Sequence, residues 1–576
     1  MPRVVAWQDA PSRSLVSTRS WRSGSSSLIR PIPGQDPRPR RQPRSFAEYI
    51  QELWVYIQVG RRGAYSAGRL QALHRYSESS PTWRIVLVWM LTPMPSLLFV
   101  LALQCIPLQP PEDGVRANTA FWLELGCILV VIGQSFVGQL KQVIPELPIS
   151  FRLTVTVSVV ATLITVAVVI SMCAAWVFPV PFGIVMFTPL FLLLQFGLMM
   201  LVAGKDARAR TPHLRDKVHV YGHVTAVQAL LSIVYPIYNA VFVRLDSTQQ
   251  AFFVAMPSLI KFAIKNLLVR TCESLPLNDE LPELMIFTAD LFNTISLSAC
   301  MQTAGSTSLT TFVIFALGNV QLLLTVRGLL CRGRRLRLIL QQLRTEKASS
   351  QNGTHWWAAD AREALTAVGV RLCTQSGLRT SVTRSATSDT TDTKAFVEKA
   401  MAAKSLAGAR GGRKLAMVVP SQMLAVSPQV VSTQAQERLV QQILKTLFTC
   451  EYLILAEYVK CVIPLVSLAH TLLLFHLPTK RFFSYMDQYT DPSQLNDAVQ
   501  RVLVFAGLQL VTFVVLWLLL WKQLCHSVFV HLAFVLERNR EMIQMRLLTW
   551  ITYAFLLPVA HGGVDFTFKF EWMQRR

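Results

Sequence analysis

Residues Leu153 to Val177 read LTVTVSVVATLITVAVVISMCAAWV, a run of 25 residues without one charged side chain. As an α-helix this run is about 37 Å long, because each residue adds about 1.5 Å. The hydrocarbon core of a bilayer is about 30 Å thick, and at least eight runs of roughly twenty apolar residues occur along the chain. The sequence therefore predicts an all-α fold, a polytopic bundle of transmembrane helices.

The composition of the whole chain agrees with this fold. Of 576 residues, 52% are hydrophobic and 15% are charged, and the mean hydropathy is +0.39; a soluble chain of this length needs more polar surface. The net charge of +23 is concentrated in two segments. There are 13 basic and 5 acidic residues before Trp83, and 18 basic and 7 acidic residues from Cys331 to Lys445. Basic loops of membrane proteins face the cytosol, so the charge predicts anionic lipids at the cytosolic face as partners, and not nucleic acid.

The apolar runs predict ten or eleven membrane spans. In chain order, ten of them cover residues 83–106, 119–140, 153–177, 182–203, 219–243, 251–269, 284–302, 309–329, 448–475 and 502–521. Residues 547–560 form either an eleventh crossing or a re-entrant piece, because about 14 residues are short for a span. Of these two alternatives, the crossing is favoured.

The span at residues 251–269 is assigned by charge rather than by hydropathy, because it contains Lys261 and Lys265. The basic N-terminal segment is placed in the cytosol. The basic cluster after residue 330 then reaches the cytosol only if residues 251–269 cross the membrane. That cluster consists of Arg332, Arg334, Arg335 and Arg337. The excess of lysine and arginine in cytosolic loops therefore predicts that the segment crosses.

Five regions follow from these patterns. Residues 1–45 are predicted to be a disordered basic tail, and residues 46–76 an amphipathic helix at the membrane interface. Residues 83–330 hold about eight membrane helices, residues 331–446 form a long disordered cytosolic loop, and residues 447–576 hold two or three further helices. The loop is rich in Ser and Thr, and the arginines shortly before Thr383 and Thr387 predict a kinase acting on these threonines.

Ionisable side chains inside spans are the candidate functional residues, because each costs about 2.5–3.5 kcal/mol to insert and needs a partner or water. Lys261 and Lys265 lie one turn apart on the sixth span. Asp290 lies seven residues after Glu283 and three before Asn293, so these residues share one face of the seventh span. Helical rise places Lys265 and Asp290 at about the same depth. The sequence therefore predicts an ion pair between these two helices.

A second charged pair is predicted on the ninth span, where Glu457 and Lys460 are three residues apart on one helix. Both sets lie in the inner half of the membrane and predict a charged vestibule that opens to the cytosol. Their role is either a substrate or ion path or a brace that lets a polar hairpin insert. Glu124, in the second span, is expected near the outer interface.

The sequence contains no motif that indicates catalysis, metal binding or a cofactor. It has no Walker A motif, no GxSxG and no HExxH, which argues against ATP-driven transport and against serine or zinc hydrolysis. The ten cysteines are scattered without a CxxC pair, and His219 and His223 have no third ligand nearby in sequence. No catalytic residue, metal or cofactor is predicted.

Several short motifs lie between the start of the sixth span and the end of the ninth. They are Met256–Lys261 (MPSLIK), Lys265–Asn266, Asp279–Glu283 (DELPE), Asp290–Asn293 (DLFN), Met301–Gln302, Cys450–Tyr452 (CEY), Glu457–Val459 (EYV) and Leu477–Pro478. This region resembles a large family of uncharacterised multi-pass membrane proteins associated with oomycetes. The resemblance implies the multi-pass topology and the charged hairpin. It implies no substrate, because the family has no assigned activity, and Lys460 stands where the family has an acid.

Taken together, these patterns predict an integral multi-pass protein of the plasma membrane or an endomembrane. The favoured function is secondary transport or channel-like conduction through the charged vestibule. The alternative is a membrane scaffold or receptor that acts through its basic, Ser- and Thr-rich loop. Enzymatic activity, in the form of a lipid-modifying enzyme with an embedded histidine, is the least favoured class.

Overall fold

The computed structural model describes eight stretches of the chain: residues 65–144, 150–203, 214–272, 286–302, 308–348, 428–524, 527–556 and 558–563. All of them belong to one compact unit, Ile50–Arg576. Several predicted features lie outside the described residues. These are the basic tail, the first part of the interfacial helix (46–64), Glu283, and the middle of the loop (349–427) with Thr383 and Thr387.

The described chain consists of helices and short connections, and within it the β-structure is limited to a single isolated bridge. The main helices are α1 Ala67–Ser79, α2 Thr82–Leu91, α3 Met94–Gln104, α4 Thr119–Val143, α5 Phe151–Ala175, α6 Gly183–Val202, α7 Leu214–Val243, α8 Ser247–Phe253, α9 Met256–Cys272, α10 Leu291–Gln302, α11 Ser308–Ala348, α12 Pro428–His476, α13 Pro492–Leu524, α14 Val528–Arg538 and α15 Arg540–Leu556. The prediction of an all-α fold is confirmed.

Nine segments of the described chain are long and apolar enough to cross a membrane. They are α2 with α3, α4, α5, α6, α7, α8 with α9, α11, α12 and α13. Large apolar side chains on these helices are exposed, for example Leu163 (64%), Leu193 (71%), Leu201 (70%) and Val511 (60%). Apolar surface of this extent is stable against lipid and not against water. The protein is therefore an integral multi-pass membrane protein.

Two of the membrane segments are interrupted at prolines. α2 ends at Leu91 and α3 begins at Met94, on either side of Pro93, because proline cannot donate the backbone hydrogen bond of a helix interior. The lysine-bearing segment breaks between α8 and α9, just before Pro257. As a whole, Ser247–Leu268 is long and apolar enough to cross, as its charge pattern predicted.

The predicted seventh and eleventh spans are short, buried helices. α10, with the π-helical turn Ile286–Asp290 before it, and α15 each cover 17 residues of the described chain. At about 1.5 Å per residue each is about 25 Å long. Most of their side chains are buried, because other helices surround them. These two helices form the centre of the bundle, and lipid covers the outer helices.

The contacts of α15 show that it runs from one end of the bundle to the other. Just before it begins, Glu537 forms an ion pair with Arg84 at the start of α2. Just after it ends, His561 Nε2 lies 2.7 Å from the carbonyl of Gln109, in the connection that follows α3. The residues that flank α15 on either side therefore lie at opposite ends of the segment formed by α2 and α3.

Two predicted boundaries are wrong. α11 runs on to Ala348 and α12 begins at Pro428, so continuous helices enter the predicted loop from both sides. Residues 334–348 hold good helix formers without Gly or Pro, and proline is tolerated at a first helical turn. In the described part of the helix predicted over residues 46–76, α1 begins only at Ala67, because the hydroxyl of Ser66 accepts from the backbone N–H of Arg69 and caps it.

Candidate functional site

A buried cluster of ionisable side chains lies between α9 and α10. Lys261 and Lys265, one turn apart on α9, both face the carboxylate of Asp290 at the end of the π-helical turn. Lys265 Nζ forms an ion pair with Asp290 Oδ2, and Lys261 Nζ lies 3.7 Å from Oδ1. Each of the three residues is at most 5% exposed. The predicted ion pair between Lys265 and Asp290 is confirmed.

The π-helical turn accounts for the position of Asp290. Such a turn inserts one extra residue into a helix and rotates the side chains that precede it, and it is frequent at functional sites. The turn lies entirely within the core, and all five of its residues are buried. Asp290 ends this turn, and its carboxylate faces both Lys261 and Lys265.

Two further helices complete the surroundings of the lysines. Lys265 Nζ donates to the hydroxyl of Tyr452 on α12 at 2.6 Å and lies 5.0 Å from the centre of its ring. Lys261 Nζ donates to Gln321 Oε1 on α11 at 3.4 Å. Helical spacing could not reveal Tyr452 or Gln321, because these contacts join residues far apart in the sequence.

The second predicted pair is also confirmed: Lys460 Nζ donates to Glu457 Oε1 at 2.6 Å along α12. Lys460 and Lys261 line the same small cavity, of about 30 Å³, together with Asn293 and Gln509. A space of this size holds about two water molecules.

The cluster contains polar atoms that no described group satisfies. Asn293 Oδ1 and Glu457 Oε2 are buried and have no hydrogen-bond partner among the described residues. Both atoms are acceptors, and a buried acceptor without a partner costs about 1–3 kcal/mol. A water molecule in the cavity can supply the missing donor to Asn293.

The formal charge of the cluster does not cancel, because three lysines face two carboxylates. One positive charge in excess, in a site that is closed to bulk water, attracts an anion. The described residues surround these charges closely, and the cavity between them is narrow. A wide vestibule open to the cytosol, as predicted, is not seen in the described part of the chain.

The sequence did not indicate a second buried ionic cluster, which lies where α1, α12 and α14 meet. Arg69 Nη2 of α1 pairs with Glu451 Oε1 of α12 at 2.7 Å. The other carboxylate oxygen accepts from Tyr65 and lies 3.2 Å from His531 Nε2 of α14. All four side chains are buried. Because 382 residues separate Arg69 from Glu451, only the fold brings them together.

Burial determines the protonation of two members of this second cluster. It raises the pKa of Tyr65 far above the ordinary value, reinforced by the nearby charge of Glu451. Burial, together with the charge of Arg69, lowers the pKa of His531 to about 3. The Glu451 carboxylate therefore has Arg69 as its cationic partner, and His531 is neutral at physiological pH.

The histidine pair considered in the sequence shows no site geometry. His223 Nδ1 lies 2.7 Å from the backbone carbonyl of His219, the residue one turn before it. Over the described ranges of the chain, His, Cys, Asp and Glu side chains nowhere gather in groups of three that could hold a metal ion.

Comparisons of the chain with family models, with curated proteins and with solved structures find no match. The function is therefore argued from the geometry of the cluster alone.

Proposed function

We propose that this multi-pass membrane protein is a secondary transporter or channel-like protein whose solute is a small anion. The observation that carries the proposal is the cavity at which Lys261 and Lys460 meet, beside Asn293, inside the membrane-spanning bundle. Buried ionisable groups within spans are costly and commonly mark solute paths. The uncancelled lysine charge favours an anion over a cation.

Its position in the bundle also supports translocation. The cavity lies among α9 to α13, and Lys261 falls near the middle of the segment Ser247–Leu268. That segment is broken between α8 and α9, and interrupted helices near the midplane are where many transporters bind their solutes. The π-helical turn before α10 is a second irregularity at the same place.

The test is anion flux into liposomes that contain the purified full-length protein. Lys261→Gln removes the more loosely paired lysine and leaves the ion pair between Lys265 and Asp290 in place. We expect chloride or nitrate flux to fall at least about tenfold, which corresponds to a barrier higher by about 1.4 kcal/mol. Lys522→Gln, at an exposed lysine, is the matched control and leaves the flux unchanged.

The alternative role, a brace for the hairpin, predicts a different result. A brace predicts that Lys261→Gln lowers the melting temperature while the folded protein keeps its anion flux. If the folded variant has the anion flux of the unaltered protein, the transport proposal fails. The scaffold or receptor alternative depends on residues 349–427, outside the described chain, and stays a prediction. Four further points also stay predictions: the kinase that acts on Thr383 or Thr387, the anionic lipid partners, the particular membrane, and the resemblance to the oomycete-associated family.

A further inference from the structure

A second and larger cavity lies on the other side of the bundle, among α4, α5, α6, α7 and α15. Its volume is about 150 Å³, the size of a cavity that accommodates a benzene molecule. Its walls are mostly apolar, and aromatic side chains contribute much of them: Phe121, Trp122, Phe178, Phe187, Trp550 and Tyr553. None of the residues of the charged cluster lines it.

The carboxyl group of Glu124 lies in the wall of this cavity. Glu124 is 3% exposed, and its Oε2 has no hydrogen-bond partner among the described residues. The described residues that line the cavity include no lysine or arginine. The bundle thus encloses the carboxyl of Glu124, which the sequence placed near the outer interface. A buried carboxyl without a partner is costly, so the cavity lacks a donor that a ligand can supply.

A histidine adds a second acceptor to the cavity wall. The amide nitrogen of Asn118 donates to the carbonyls of Pro110 and Gly114, so its Oδ1 is free to accept. His561 Nε2 lies 3.0 Å from that oxygen and 2.7 Å from the carbonyl of Gln109. Both neighbours are acceptors, so Nε2 carries the hydrogen. Burial lowers the pKa of His561 and keeps the ring neutral; Nδ1 is then an acceptor without a partner.

We propose that this cavity binds a small hydrophobic amine in its protonated form, with a ring-sized apolar body among the aromatic side chains and the ammonium group on Glu124. An ammonium group has three donors and no acceptor, which matches Glu124 and His561. Aromatic faces attract a cation as well as an apolar body. Trp550 Nε1 and Thr552 Oγ1 also line the cavity without partners; a hydroxyl on the amine or an ordered water satisfies them.

The experiment measures equilibrium binding to the purified full-length protein in lipid nanodiscs. The probes are benzylamine and benzyl alcohol, which have similar size and shape and differ in charge. We expect benzylamine to bind at least about tenfold more tightly, and Glu124→Gln to remove this preference without changing the affinity for benzyl alcohol. Glu541→Gln, at an exposed glutamate at the start of α15, is the matched control and leaves both affinities unchanged.

A second variant covers the case in which Glu124→Gln fails to fold. Ala229→Phe fills the cavity from α7 at an exposed position and keeps Glu124; we expect it to abolish binding of both probes. The proposal is overturned if the two probes bind equally to the unaltered protein, if the preference for benzylamine survives Glu124→Gln, or if either probe still binds to folded Ala229→Phe. The assay measures binding and not flux, so its outcome is independent of the anion-transport proposal.

Discussion

At the scale of single residues, the buried charges determine which substitutions the fold tolerates. Among the described residues, Asp290 is the carboxylate that both lysines of α9 face. Without it, two buried ammonium groups lose the anion with which they pair. Removing one partner of a buried ion pair is far more costly than removing both.

The first prediction concerns this carboxylate. Asp290→Asn is expected to lower the free energy of unfolding by about 3–5 kcal/mol, measured by thermal unfolding of the purified protein. Adding Lys265→Met to Asp290→Asn should restore part of the loss, because one of the two unpaired charges is then gone. If the double variant is less stable than the single one, the ion pair is not the cause.

The second prediction concerns pH and His531. Its pKa is lowered to about 3 in the fold, against about 6.5 in an unfolded chain. Between these values the unfolded state binds the extra proton, so stability falls as pH drops from about 6.5 toward 3, by at most about 1.4 kcal/mol per pH unit. Above about pH 6.5 this contribution does not change with pH.

His531→Gln removes the titrating group and keeps a hydrogen-bond donor for Glu451. We expect the slope of melting temperature against pH to become shallower in this variant between about pH 6 and 4. The exposed His476 is the control position, where the same substitution leaves the slope as it was. An unchanged slope in His531→Gln would show that other groups cause the acid sensitivity.

At the scale of elements, the segment after α15 is held by backbone geometry as well as by side chains. Gly563 has φ +63° and its carbonyl accepts from the N–H of Phe182 at 2.7 Å. A Cβ at this position would lie 1.9 Å from the carbonyl oxygen of Val180. Only glycine fits here. Any side chain would collide with the backbone of Val180, and the left-handed conformation costs other residues energy.

The third prediction follows from this contact. Gly563→Ala should destabilise the protein by more than about 1 kcal/mol, because the strained backbone and the clash add. Gly197→Ala, in the middle of α6 where a Cβ meets nothing within 4 Å, is the control and should be neutral or slightly stabilising. Equal melting temperatures for both variants would mean that the segment does not pack as described.

The helices themselves were largely predictable, and their ends were not. Long uncharged runs fixed the presence and order of the spans, because hydrocarbon demands internally bonded backbone over a set length. The ends of α11 and α12 extend into the predicted loop because polar helix formers carry a helix on after the membrane ends. A hydropathy profile does not detect such extensions, because their residues are polar.

At the scale of the whole molecule, the alternation of helix ends predicts which residues share a side of the membrane. Glu78, at the exposed end of α1, lies on the end of the bundle that holds Arg69 and Glu451. Glu112, exposed in the connection after α3, lies on the opposite end, near Gln109 and His561.

The fourth prediction tests this arrangement with an impermeant thiol reagent on sealed vesicles. In a background without the native exposed cysteines, Glu78→Cys and Glu112→Cys should react from opposite sides. One of them should label before permeabilisation and the other only afterwards. Labelling of both from the same side would invalidate the alternation, and with it the crossing of the lysine-bearing segment.

The sequence by itself determined the fold class, the order of the spans and the pairing of Lys265 with Asp290. These depend on local quantities: the length of an apolar run, the balance of loop charge and the rise of a helix. Only the tertiary structure brought Tyr452 and Gln321 to the lysines, joined Arg69 to Glu451, and enclosed Glu124 in an aromatic cavity. Each of these contacts depends on how helices far apart in sequence rotate and pack against one another, and no spacing within a single helix contains that information.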